Sequence, residues 1–361
     1  MFMNSRERFL RTLFRDKPDR PALFANFTPQ VAERMSNKLG VKYEEPLDSL
    51  LSTRISHTEL LLMLGNDAVG IAACAPNDRP TRTGKDGVIV NEWGMRFINK
   101  GLYNEFIDFP LAHAEHVEDV EKYPFPDPFA AGRFDEARKA VDRYSNEYGI
   151  IADLETSIFE TAWYLTGLEK FLMDLLIEPP YLDALLDRIM YINTETGKEL
   201  IKMGADMIWC GDDFGGQNGL IMDLDTWRRH FKPRMQKMLD AFRDVNPDIK
   251  IAWHTCGSVR PLIPEFIELG IDFLNPIQPR AAGMEPEALV RDFGKSISFF
   301  GGICVQDLMP NGTPGQIRSE IERRAKIHGS EGGYIIAPAH NIQDDTPDEN
   351  ILALFDGVKS L

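Results

Sequence analysis

A histidine and a cysteine stand two residues apart at the close of a short apolar run, in the stretch KIAWHTCGSV, Lys250–Val259. Residues i and i+2 of a strand point to the same face, so His254 and Cys256 can bring an imidazole and a thiolate to one point. These are the soft and borderline donors that zinc takes. Gly257, which follows, lets the backbone turn sharply beneath them. Cys304 and His340 close later apolar runs and are the candidates for further ligands. The acidic groups Glu155, Asp212 and Asp213 could supply another ligand or serve as general acid and base. Asn275, Gln278, Gln306, Asn341 and Gln343 follow similar runs and are expected to hold a substrate by hydrogen bonds.

Each residue type also has a plainer use. Asp153 and Asp213 could cap the helices that follow them, and Thr156 and Ser157 fit a capping role better than a ligating one. Asn275 and Gln278 could satisfy loop backbone. Cys74 and Cys210 fit as small buried hydrophobes. His57, His113, His116, His230 and His328 lie in helical or loop surroundings and fit surface or packing positions.

The elements that must position these groups alternate along the chain. SRERFLRTLFR, from Ser5, places Phe9, Leu10, Leu13 and Phe14 on one face of an amphipathic helix. Strand-like runs follow at Ala22–Ala25, Ala68–Ala72, Gly149–Asp153, Met207–Cys210, Ile251–His254, Phe273–Asn275, Ile297–Gly301 and Tyr334–Ala337, with helical periods between them. This alternation predicts a single α/β domain over residues 1–361, a (β/α)8 barrel with an N-terminal helical extension in residues 1–20. No G-x-G-x-x-G follows the first strand, which argues against an open doubly wound sheet. GVIVNEWGMRFIN predicts a hairpin turning near Glu92–Gly94, and the acidic, proline-broken stretch that ends near Tyr148 predicts an insertion across one end of the barrel, together spanning residues 85–148. In such a barrel the chemistry sits at the carboxyl ends of the strands, where the candidate ligands, acids and amides of the first paragraph fall.

Composition narrows the function classes. The 361 residues carry a formal charge of −16, which argues against nucleic acid or an anionic membrane as partner. No apolar run approaches the roughly 18 residues that span a bilayer, and the charged N-terminus lacks a signal-peptide core. The 4 cysteines are too few for a disulfide framework. A cytoplasmic location is the expectation.

The stretches ETSIFETAWYLTGLEKFLMDLL, GDDFGGQNGLIMDLDTWRRHFKPRM, WHTCGSVRPLIPEFIELGIDFLNPIQP, FFGGICVQDLMPNGTP and GGYIIAPAHNIQDDTPDENILAL resemble the uroporphyrinogen decarboxylase superfamily. The resemblance implies a (β/α)8 barrel and one of two activities: metal-independent decarboxylation of a tetrapyrrole, or zinc-dependent methyl transfer to or from a corrinoid protein. The decarboxylases carry an Arg-Gln-Ala-Gly-Arg-Tyr segment near the N-terminus, where this chain reads RPALFANFTPQVAERM, and an aspartate after the second strand, where it has Ala72 and Ala73. The methyltransferase branch is the better match. Its zinc motif is a His-x-Cys pair, matched by His254 and Cys256, plus a cysteine on the last strand, where His340 stands; Cys304 is the other candidate. The branch implies Zn2+, a corrinoid (cobalamin) on a separate partner protein and a small methyl donor. The departure from the thiol-activating motif suggests a methoxylated aromatic or a methylamine-like substrate. A homodimer, common for this fold, is open by analogy alone.

Overall fold

The computed structural model describes residues 3–47, 54–100, 104–329 and 332–361. Eight parallel strands form the central sheet: β1 (Ala22–Leu23), β2 (Ala68–Ile71), β3 (Gly149–Asp153), β4 (Met207–Gly211), β5 (Lys250–His254), β6 (Phe273–Asn275), β7 (Ser298–Ile303) and β8 (Tyr334–Pro338). Their order is β1-β8-β7-β6-β5-β4-β3-β2, so each strand from β2 to β8 pairs with its neighbour in sequence and β8 returns to β1. The remaining seam, between β1 and β2, is closed by the two residues that precede β2. Asp67 donates its N–H to Leu23 O (2.8 Å) and accepts from Leu23 N on its carboxylate (2.9 Å). The Asn66 amide exchanges two 2.9 Å hydrogen bonds with the Ala25 backbone. These bonds bridge the seam between the two end strands of the sheet. All eight expected strand positions are filled, with ends shifted by a residue or two.

Strand alternation sorts the side chains. Ala22, Phe24, Ala68, Ile151, Met207, Trp209, Ala252, Phe273, Phe300, Ile335 and Ala337 fill the barrel interior. Their neighbours Leu23, Val69, Ile150, Ala152, Ile208, Cys210, Ile251, Trp253, Leu274, Phe299 and Ile336 pack outward against the helical layer. The helix Ser5–Leu13 closes the N-terminal end of the barrel, with Phe9 and Leu13 joining the interior cluster. Phe9 lies so close to Gly149 that a Cβ there would overlap its ring, which explains glycine at the start of β3. Arg6 pairs with Asp206, and Arg8 and Arg20 both pair with the fully buried Asp67, so the helix is tied to strand beginnings by charge as well as by apolar contact. Phe14, assigned to the same apolar face, is exposed because the helix has ended before it.

The insertion is larger than a hairpin. Between β2 and β3 the chain forms a four-stranded antiparallel meander of Arg82–Thr83, Ile89–Val90, Arg96–Asn99 and Asn104–Asp108, followed by helices Val117–Glu121 and Asp135–Tyr144. The expected turn is there, with Gly94 N–H bonded to Asn91 O at 2.9 Å. The insert is anchored by a bidentate Arg133–Glu92 pair (2.7 and 2.6 Å), nearly sealed from solvent. Because it leaves the carboxyl end of β2, it sits at the mouth side of the barrel. Among the described residues no helix is long and apolar enough to cross a membrane.

Candidate metal centre

His254 is the last residue of β5 and lies in alternation with the interior residue Ala252, so its ring enters the barrel mouth. Beyond it the chain leaves the strand in a fixed turn. Thr255 N–H donates to Asn275 O (2.7 Å), Cys256 N–H to Asp213 Oδ1 (2.7 Å) and Gly257 N–H to Gln278 Oε1 (2.7 Å). Gly257 has φ +83°, and a Cβ there would overlap the Gly215 backbone. This turn folds Cys256 back towards its neighbour: Sγ lies 3.4 Å from His254 Nε2. Asp213 Oδ1, from the end of β4, lies 3.5 Å from the same Nε2. Among the described residues, Asp213, His254 and Cys256 are the one group of three or more such donors whose ligand atoms all lie within 4.8 Å of one another.

The imidazole tautomer follows from its other nitrogen. Asn275 donates from Nδ2 to Phe300 O (3.0 Å), so its Oδ1 is the end turned to His254 Nδ1, 2.5 Å away. An amide oxygen only accepts, so Nδ1 carries the proton and Nε2 presents its lone pair to Cys256 and Asp213. Burial, with the Arg54 charge nearby, lowers the His254 pKa to about 3, so the ring is neutral near pH 7. Burial and the adjacent Asp213 and Glu160 carboxylates push the Cys256 thiol well up. The pocket therefore gathers donors but supplies little positive charge to stabilise a thiolate.

A divalent cation fits this set. Nitrogen, sulfur and carboxylate oxygen are all zinc donors, and two ligands on a tetrahedral zinc lie about 3.4–3.6 Å apart at the usual bond lengths. The separations of 3.4 and 3.5 Å fall there. An amide holding Nδ1–H is the outer-shell partner that ligating histidines require.

The structure distributes the other expected residues differently. Asp212 is fully buried and accepts backbone N–H bonds from Ser157 (3.3 Å), Ile158 (2.8 Å) and Glu160 (2.9 Å), anchoring the start of helix Phe159–Thr166. Burial lifts its pKa to about 7 against those donors. The carboxylate of Asp212 is thus turned to the helix start, whereas that of Asp213 is turned to His254. Asn275, which lines the cleft, orients His254 and bonds Phe300 O with its amide, and Gln278 holds Gly257 N–H with its amide oxygen. Cys304 is buried after β7 and does not enter the donor group. His340 stands at the mouth with its ring centroid 6.5 Å from that of His254, outside the three-donor group. The residue is exposed to solvent, yet the protein crowded around the mouth and the nearby His254 hold its pKa below the ordinary 6.5. Asn341 lines the same cleft, Gln343 is half-buried nearby in sequence, and Gln306 is exposed. Glu155, in the left-handed region at φ +61°, lines a second hollow with Asp153, Glu92 and Arg133. Cys210 packs outward into the helical layer.

Three contributors to the mouth went unremarked in the sequence. Arg54 stacks its guanidinium 4.3 Å over the Trp209 ring and reaches Asp153 Oδ1 at 3.4 Å. Trp209 forms an aromatic wall with Phe24 and Phe300. Glu160 accepts from Tyr164 Oη (2.8 Å) and from Asp213 N (3.2 Å). The Glu160–Tyr164 spacing of one helical turn was visible in the sequence; the reach of Arg54 across to β3 was not.

Residues 109–361 match the family model described as uroporphyrinogen decarboxylase (URO-D). The chain belongs to the URO-D family. Among curated relatives, the methylated-thiol–coenzyme M methyltransferase of Methanosarcina mazei is 27% identical over 228 residues, 63% of this chain and 56% of that protein. The methylcobamide:CoM methyltransferase MtaA of Methanosarcina barkeri is 25% identical over 174 residues, 47% of each. A uroporphyrinogen decarboxylase of Thermus thermophilus is 25% identical over 175 residues, again 47% of each. The chain spans about half the length of the curated relatives it matches. A solved methyltransferase from Methanosarcina mazei shares the fold, with a TM-score of 0.67 and 18% identity over 100% of this chain and 99% of that one. URO-D relatives thus include decarboxylases and methyltransferases, and the site must decide between them.

Proposed function

We propose that this URO-D family protein is a zinc-dependent methyltransferase moving a methyl group between a small methylated substrate and the cobalt of a corrinoid on a separate protein. The observation that carries the reading is the converging Asp213, His254 and Cys256 donors, with the His254 tautomer fixed by Asn275. These three residues would hold the metal, leaving a tetrahedral ion one open position. Zinc there supplies Lewis acidity towards the heteroatom that carries or loses the methyl group, an effect worth several kcal/mol. The corrinoid supplies the cobalt that exchanges the methyl group.

The chain's own residues shape the rest of the mouth. Phe24, Trp209 and Phe300 form an apolar wall for the body of a methoxylated aromatic or methylamine-like substrate. His340 and Asn341 face the cleft from the end of β8 and supply polar contacts, with Glu155, Gln306 and Gln343 at more distant loop positions. The corrinoid protein docks over this mouth.

The alternative is a metal-independent carboxy-lyase. One observation favours it, the Arg54 guanidinium in the cleft, which could meet a substrate carboxylate. Against it, the nearest charged neighbours of Arg54 are the acids Asp153, Glu155, Glu160 and Asp213, a poor setting for a polyanion.

The deciding experiment mixes zinc-loaded protein with cob(I)alamin and panels of methoxylated aromatics, methylamines and methylated thiols, following the cobalt spectrum. Methylcobalamin should form with one panel and be lost in His254→Ala and Cys256→Ala proteins. Transfer that survives both substitutions would sink the proposal, as would carbon dioxide release from uroporphyrinogen without metal.

A further inference from the structure

The end of β4 and the start of the helix that follows β3 clasp one another. Asp212 accepts the Glu160 N–H on its carboxylate at 2.9 Å, and Glu160 accepts the Asp213 N–H on its own at 3.2 Å. Two adjacent aspartates therefore divide the work. One grips the helix; the other is gripped by it and turns its side chain to His254 and to Cys256 N–H. Glu160 is held in turn, because Tyr164, one turn later on the same helix face, donates its hydroxyl to Glu160 Oε1 at 2.8 Å. The Tyr164 ring lies stacked against Phe106 of the inserted sheet, with centroids 4.7 Å apart and planes 20° apart. The same insert donates Leu111 N–H to Leu165 O at 2.7 Å, which fixes it to this helix.

We infer that Glu160 and Tyr164 are positioning residues for the Asp213–Cys256 arm of the site, and that the inserted sheet, through Phe106, belongs to this support. The path is continuous: Phe106 packs Tyr164, Tyr164 orients Glu160, Glu160 fixes the Asp213 backbone, and Asp213 fixes the Cys256 backbone. An Asp213 main chain free to move would release the Cys256 turn on one side and the carboxylate on the other. Outer partners of metal ligands typically contribute about 10–100-fold in affinity, and one acting through a backbone N–H belongs at about tenfold.

The zinc consequence rests on the proposed metal reading; the effect on the Cys256 turn does not. Both are measured in wild type, Glu160→Ala, Glu160→Gln and Tyr164→Phe proteins whose circular dichroism is unchanged. In chelator-treated protein, alkylation of Cys256 by iodoacetamide, followed by peptide mass spectrometry, should quicken severalfold in Glu160→Ala. Glu160→Gln loses the charge but keeps an oxygen for the Asp213 N–H, and it should stay near the wild-type rate. Zinc affinity, measured by competition with a chromogenic chelator, should fall about tenfold in Glu160→Ala and less in Tyr164→Phe. Equal alkylation in all four proteins overturns the inference, and so does an equal rise in the Ala and Gln variants, which would report charge rather than position. If wild type takes up no zinc, the metal reading fails while the alkylation rates still decide the clasp.

Discussion

Replacing Asn275 by alanine removes both hydrogen bonds of a buried amide. It strands two buried groups: His254 Nδ1–H and the Phe300 carbonyl. Each buried orphan costs about 1–3 kcal/mol, so the variant should lose about 2–6 kcal/mol of stability. That is a large share of the roughly 5–15 kcal/mol that holds a domain together. The second effect is specific to the site. Without the Asn275 oxygen the imidazole is free to protonate at Nε2 or to rotate, and either removes the lone pair now aimed at Cys256 and Asp213. Zinc affinity should fall about 10–100-fold. Asn275→Asp separates the two effects, since a carboxylate still accepts from Nδ1–H but cannot donate to Phe300 O. It should be destabilised yet keep zinc affinity at or above the wild-type level. Urea unfolding gives the first quantity and chelator competition the second. An alanine variant that unfolds earlier but takes zinc as tightly as wild type would refute the orienting role.

Other substitutions probe parts of the molecule away from this pair. His328 is buried between Phe299 and Tyr334, and among the described residues neither ring nitrogen has a hydrogen-bond partner. Burial, then Arg324 and Arg323, lower its pKa to about 3 from an ordinary 6.5. The unfolded chain therefore binds this proton first, and stability falls as pH drops from about 6.5 towards 3, by about 2 kcal/mol from this group at pH 5. His328→Leu should flatten that slope in urea melts at pH 5 and pH 8, and an unchanged slope would show that the histidine is already charged when folded. Glu92→Ala leaves the buried Arg133 charge without its carboxylate, though still bonded to Asp127 O and Cys74 O, and should cost about 3 kcal/mol in chemical unfolding, whereas an exposed pair would cost under about 1. Cys304→Ser should leave zinc content unchanged, because that thiol lies outside the donor group; loss of metal would bring β7 back into the coordination sphere.

The barrel was legible because each strand is a short apolar run with a turn signal, and its alternation survives at sequence level. The inserted sheet was half legible. Asn104–Asp108 was missed because its residues face mostly solvent and show no apolar alternation, and Arg82–Thr83 because two exposed residues carry no pattern. At the site, a period of two separated more than was taken from it. Met207 and Trp209 point inward, so Asp213 continues their face while Asp212 continues the outward face of Ile208 and Cys210. Partners that arrive from other strands left no local mark. Nothing near Asn275 in sequence announces His254, 21 residues away, and nothing near Arg54 announces Asp153, 99 residues away.

Metal content of protein purified without chelator, wild type against Cys256→Ser, tests the zinc reading most directly. The expected result is about one zinc per wild-type chain and little in the variant, because on this reading the Cys256 thiolate would be one of three ligands supplied by the protein. No zinc in either protein after adding the metal, or equal zinc in both, would contradict it and leave His254 and Cys256 as packing at the end of a strand.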